Sequence, residues 1–232
     1  MSSIHEDDSI SGEQVLPFYI VCDESASMSS NGGIDAINSA LPELHEMIAS
    51  NPLVNDKARI ALVAFSDDAE VLLPLSAAAD VEDMPGVMPK GATNYGSAFR
   101  LLKTQIATDI ATFTADGFKV LRPAVFFISD GGPTDHDWQT HHADLVDKNS
   151  NPHAPHIIAY GVESCDEAII RQVATIAGFV AMQGVNPAGA LTEIVGSLTN
   201  TIVQSSSSSS PQLVIPPPPD GTISIDLDEM AS

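Results

Sequence analysis

Pro17-Phe-Tyr-Ile-Val-Cys22, followed directly by Asp23-Glu24-Ser25-Ala26-Ser27, carries both a structural and a chemical signal in this 232-residue chain. The first six residues form a nearly continuous apolar run, as expected of a central strand covered on both faces. The next five place one carboxylate and two hydroxyls at alternate positions of a tight loop, where alternate residues can point the same way. Runs of the same kind recur at Arg59–Phe65 and Pro123–Ile128, with shorter ones at Pro155–Tyr160 and Phe179–Met182. Glu70–Leu75 follows the second run after only Ser66-Asp-Asp-Ala69, which predicts a hairpin with its proline-bearing strand at the sheet edge.

Helical patterns fill the gaps, over Ile34–Ala49, Tyr95–Phe113, Trp138–Val146, Glu167–Ile176 and Pro187–Val203. In the first of these Ile34, Ile37, Leu41, Leu44 and Ile48 fall on one stripe. Strands alternating with helices, without an internal repeat, predict a three-layer αβα, doubly wound, Rossmann-like domain. Its sheet is expected to be six-stranded and mostly parallel, with one antiparallel edge strand. The domain is expected over residues 14–204. Residues 1–13 read as a flexible acidic tail, and residues 205–232 as a linker rich in Ser and Pro with an acidic end. Within that end, Thr222–Asp228 alternates apolar and polar residues like a short strand with no sheet of its own. It reads either as a disordered terminus or as a peptide for a partner's sheet edge.

In doubly wound sheets ligands collect at the carboxyl ends of the strands, so the residues just after the first and fourth runs matter most. Asp23, Ser25 and Ser27 stand after the first. Ser129-Asp130-Gly131-Gly132-Pro133-Thr134-Asp135 stands after the fourth, a carboxylate on a glycine-rich turn that lets backbone come close to a ligand. Between them Gly91-Ala92-Thr93-Asn94 offers a third hydroxyl before a helix. Carboxylates and hydroxyls with room for water suit a small hard cation, Mg²⁺ or in its place Mn²⁺ or Ca²⁺, and no Cys or His lies in these loops to favour zinc. The plainer alternative is that Asp23, Ser25 and Ser27 are turn formers that cap backbone amides.

With Thr93 and Asp130 in order after Asp23-x-Ser25-x-Ser27, the chain resembles the von Willebrand factor A (vWA) domain family over roughly Gln14 to Gln204. The resemblance implies a metal-ion-dependent adhesion site. Ser25 and Ser27 would ligate the ion directly, Thr93 and Asp130 directly or through water, and Asp23 would orient water and hydroxyl behind them. It also implies a partner protein that supplies an acidic residue to the metal, and no catalysis. The Ser129–Asp135 loop is similar, more loosely, to bacterial tellurium-resistance-associated vWA proteins, some of which accompany kinases and phosphatases. That implies an adaptor or scaffold in stress signalling.

Other classes fit less well. The arrangement of Asp23 also resembles a Mg²⁺-dependent phosphohydrolase of haloacid-dehalogenase type, but Ser25 stands where such enzymes carry a second Asp as general acid. A metal-free structural vWA relative is a further alternative. Nine Lys and Arg against 31 Asp and Glu give a net charge of −22, which speaks against nucleic acid and anionic membrane as partners. No apolar run is long enough to span a bilayer, and Cys22 and Cys165 read as reduced thiols, so a soluble cytoplasmic protein is expected. His136, His141, His142, His153 and His156 invite zinc but lack ligand spacing, and read as a solvated helix and loop. Trp138 and Met28 read as packing or rim residues. Lys90 is the one basic residue in the motif loops, expected to guide an acidic partner residue that sits within a basic ring.

Overall fold

The computed structural model describes residues 13–162, 165–207 and 211–227. In chain order the elements are β1 (Gln14–Asp23), α1 (Ala26–Ser30), α2 (Gly33–Ala49), α3 (Pro52–Lys57), β2 (Ala58–Phe65), β3 (Ala69–Ser76), a 3-10 turn (Ala78–Asp80), α4 (Tyr95–Ala115), β4 (Lys119–Val120), β5 (Ala124–Ser129), α5 (Trp138–Val146), β6 (His156–Gly161), α6 (Glu167–Val173), β7 (Ala177–Ala181), α7 (Pro187–Ser206) and β8 (Thr222–Ser224).

The sheet runs in the order β3-β2-β1-β5-β6-β7-β8, with the two-residue β4 also paired to β1. β1 is parallel to both β2 and β5, so the strand order reverses at β1, and a crevice opens beyond its carboxyl end. Beyond Gln14 every residue of β1 is buried. Leu16, Phe18, Ile20 and Cys22 enter one core beneath α2 and α7, while Tyr19 and Val21 enter the other beneath α4, α5 and α6. Helices on both faces explain why this strand reads as a continuous apolar run.

The expected mixed α/β architecture is therefore present, and the six expected strands form β1, β2, β3, β5, β6 and β7. The strand count differs, because β4 and β8 are additional, and both edge strands, β3 and β8, are antiparallel to their neighbours. α6 stops at Val173, since Thr175 and Ile176 turn their amides to the Ile157 carbonyl near the start of β6. Among the described residues no helix is long and apolar enough to cross a membrane.

The C-terminal stretch departs from its expectation as a linker. α7 continues through Ser205 and Ser206, both buried, and the Ser205 hydroxyl accepts from the Val214 amide at 2.9 Å. Gly221, at φ +78°, turns the chain back, the Pro219 carbonyl accepts from the Thr222 amide and hydroxyl, and Ser224, Ile223 and Thr222 pair with Phe179, Val180 and Ala181. The alternating segment thus lies on the edge of its own sheet. The expected N-terminal tail, apart from Glu13, and the end of the chain beyond Leu227 lie outside the described residues.

Candidate metal centre

Asp23 closes β1 and is wholly buried. One carboxylate oxygen accepts from the Ser25 amide at 2.8 Å, and the other from the Ser129 hydroxyl at 2.6 Å. That ties the loop after β1 to the end of β5. Ser25 occupies the N-cap position of α1, yet its side chain caps no helix amide. Its Oγ instead lies 3.0 Å from Ser27 Oγ, which donates to an Asp130 carboxylate oxygen at 2.8 Å. The plain turn-forming role therefore belongs to Asp23, while the two serine hydroxyls turn toward Asp130.

Asp130, 6% exposed, follows β5, and its second oxygen accepts from Asn31 Nδ2 at 2.7 Å. The third loop is held from three sides. The Asn94 amide donates to the Ser66 carbonyl at 2.7 Å, the Ala92 amide to Asp67 at 3.1 Å, and the Thr134 amide to the Thr93 carbonyl at 2.8 Å. Asn94 caps α4 by accepting from the Ser97 amide, and Asp135 accepts from the Tyr95 and Gly96 amides at 3.0 and 2.9 Å. Thr93, 6% exposed, is thereby fixed facing Gly131, where an added Cβ would lie 3.9 Å from its Oγ1. Asp23, Ser25, Ser27, Thr93 and Asp130 thus come from three loops at one end of the sheet.

Burial pushes the Asp23 carboxyl up to about 6, against the hydrogen bonds from Ser129 and Ser25, with Asp130 adding to the rise. Two buried carboxylates on one rim favour a cation between them. Oxygens on neighbouring vertices of an octahedron lie about 2.8–3.0 Å apart when the metal–oxygen distance is about 2.0–2.1 Å. The Ser25–Ser27 and Ser27–Asp130 oxygen spacings, 3.0 and 2.8 Å, are hydrogen bonds that also fall in that range, so these oxygens need not move apart to take a small divalent ion. Among the described residues no group of three or more His, Cys, Asp or Glu is placed to hold a metal. The candidate centre is of another kind, with hydroxyls as most of its donors.

Two expectations around the site need correction. Lys90, expected to guide a partner's acid, pairs instead with Glu70 and, at 3.2 Å, with Glu24, which is itself buried behind the loop. Asp67 and Asp135 accept from backbone amides of the Thr93 loop and of α4. The histidine-rich stretch is not simply solvated. His142 packs on Phe99, its Nε2 lies 2.9 Å from the Val173 carbonyl oxygen, and burial holds its pKa below the usual range. Trp138 and Met28 are buried packing residues. Asn31 and Ser129, which hold Asp130 and Asp23, escape a reading of the sequence because their partners lie about a hundred positions away.

A family model described as von Willebrand factor type A domain matches residues 18–133, half of the chain. No curated protein matches it. Among solved structures, the von Willebrand factor type A protein from Catenulispora acidiphila superposes with a TM-score of 0.61 at 15% identity, covering 82% of this chain and 43% of that one. Proximal thread matrix protein 1 from the mussel byssus, in a structure with a zinc-occupied MIDAS motif, gives 0.57 at 15% identity, with 83% and 48% covered. The pilus adhesin SpaC from Lactobacillus rhamnosus GG gives 0.63 at 12% identity, with 84% and 31% covered. At these identities the likeness is one of fold, and the chain spans less than half the length of each.

Proposed function

Since the chain belongs to the von Willebrand factor type A domain family, we propose that it is a protein-binding module whose contact with its partner is bridged by a divalent cation. Ser25 and Ser27 would hold the ion directly, Thr93 and Asp130 directly or through water, and Asp23 would fix the serine loop from behind. The observation that carries this reading is the run Ser25 Oγ, Ser27 Oγ, Asp130 Oδ1 at 3.0 and 2.8 Å, assembled from two loops 103 residues apart. The all-oxygen donor set of hydroxyls and carboxylates supports a hard cation, Mg²⁺, Mn²⁺ or Ca²⁺. The zinc-occupied site of the mussel protein supports a divalent occupant in general.

When bound, the cation supplies a vertex that accepts a carboxylate from the partner. The chain's own residues hold the donors at that rim, and Asp67 and Asp135 keep the Thr93 loop in place through backbone amides. Asp23 is a poor nucleophile here, because it is wholly buried and both its oxygens are occupied, which favours binding over phosphoryl transfer. Two free thiols suit a cytoplasmic setting. The Ser129–Asp135 loop is what supports a place in bacterial stress signalling of the tellurium-resistance type.

The test is a pull-down in MgCl₂ and in chelator, repeated with Thr93→Ala and Asp130→Ala, alongside calorimetric titration of MnCl₂ without any partner. Asp130→Ala is expected to weaken metal binding by more than about tenfold and Thr93→Ala by less, with circular dichroism unchanged, since a ligand charge is lost in the first and only a neutral hydroxyl in the second. Equal metal affinity in all three proteins would remove these loops from the ion.

A further inference from the structure

Three exposed cations stand together at the end of the sheet opposite the candidate metal centre. Lys119 opens β4, Arg122 lies just before β5, and Lys148 lies in the turn between α5 and β6. None of the three forms an ion pair among the described residues, whereas Lys90, Lys103 and Arg171 do. Burial, together with the nearby charges of Arg122 and Lys148, holds the pKa of His156 below its usual value, which places both cations around the start of β6. Two of the acids at this end make other contacts. Asp147 accepts from the Asn149 amide and the Ser150 hydroxyl within its own turn, and Glu13 lies in the field of the Arg59 guanidinium.

Beside Arg122 lies a cavity of about 280 Å³, with Ile110, Val120, Leu121 and Pro152 along its walls and His153 also at its rim. An apolar floor beside Arg122, with Lys148 near it at the start of β6, is a place where this chain of net charge −22 offers an acidic ligand cations that no described carboxylate pairs with. A polyanion the size of a nucleic acid or a membrane would meet the field of the whole chain as repulsion. A short peptide would meet only the patch.

We infer that this groove is a second docking site, taking an acidic peptide segment of a partner protein whose carboxylates pair with Arg122 and Lys148 and whose branched apolar side chain enters the cavity. Together with the metal centre at the other pole, it would make the domain a two-ended connector. The site stands independently of the metal reading, since no residue is shared.

The experiment is fluorescence anisotropy of the full chain with a labelled peptide, Glu-Asp-Asp-Ile-Glu-Asp, against its uncharged analogue, Gln-Asn-Asn-Ile-Gln-Asn. The acidic probe is expected to bind in chelator as well as in MgCl₂, and to weaken as NaCl is raised. The double variant Arg122→Glu, Lys148→Glu should weaken it at least about tenfold. Arg100→Glu, an exposed cation on α4, should leave it unchanged. Absence of binding by the wild type, equal binding of the uncharged peptide, or full binding by the double variant with an unaltered thermal melt would overturn the inference. A variant with Glu6→Gln, Asp7→Asn and Asp8→Asn is expected to match the wild type. Tighter binding there would assign the groove to the chain's own N-terminal segment and overturn its assignment to a partner.

Discussion

Gly91 shows how tightly single positions around the site are specified. A Cβ there would fall 1.8 Å from Asp67 Oδ2, so the carboxylate occupies space that only glycine leaves open. Asp67 uses that approach to accept from the Ala92 amide, one residue before Thr93. Gly91→Ala should force the exposed Asp67 side chain aside and free the Thr93 loop on one of its three sides. Because Asp67 is at the surface and can swing away, the loss of global stability should be small, about 1 kcal/mol or less. The loss should appear in metal affinity, a few-fold in a MnCl₂ titration, and Asp67→Ala should reproduce it. If affinity holds in both variants, the hinge between Asp67 and Ala92 has no part in placing Thr93.

At the scale of elements, the strands that a sequence reveals are those whose own side chains bury both faces. β1, β2 and β5 read clearly because nearly all their residues are buried. β4, two residues long, is a strand only because a neighbour's backbone lies beside it, and β8, whose alternation is legible, carries nothing in its three residues to name the edge it pairs with. α1 and α3, five and six residues long, are too short for a periodic stripe. The same contrast divides the site. Its five candidate residues are legible because Asp23, Ser25, Ser27 and Asp130 close or follow strands and Thr93 stands just before α4, whereas Asn31, Asp67 and Asp135 act through hydrogen bonds to loops distant in sequence.

β8 allows a direct check at this scale. Gly221 holds φ +78°, and a Cβ there would also come within 3.1 Å of Val185. Gly221→Ala should therefore cost about 1–2 kcal/mol, the penalty of a left-handed conformation for a residue with a side chain. Urea denaturation would read the loss. Hydrogen exchange should show it locally, with faster exchange of the Met182 and Ile225 amides, which bond to Gly221 and Gly178 across this edge. Unchanged protection of those two amides would mean that the edge strand does not depend on the turn.

For the whole molecule, the governing quantity is a net charge of −22 on 232 residues. Self-repulsion on this scale destabilises the compact state, and salt relieves it by screening. Raising NaCl should therefore raise the melting temperature whether or not any specific site exists, so stabilisation by MgCl₂ alone says nothing about the metal centre. The two effects separate at constant ionic strength. Replacing NaCl by MgCl₂ there should add a further increment that follows RT ln(1 + [Mg²⁺]/Kd), about 2.7 kcal/mol at a hundredfold excess over Kd. Asp130→Ala should abolish that increment while keeping the response to NaCl. The variant removes one buried carboxylate from a pair, so without magnesium it should melt no lower than the wild type by more than the loss of the Ser27 and Asn31 hydrogen bonds explains. If wild type and variant gain equally from magnesium, the ion acts on the diffuse charge of the surface, and the three converging loops are a structural feature of the fold with no ion to hold.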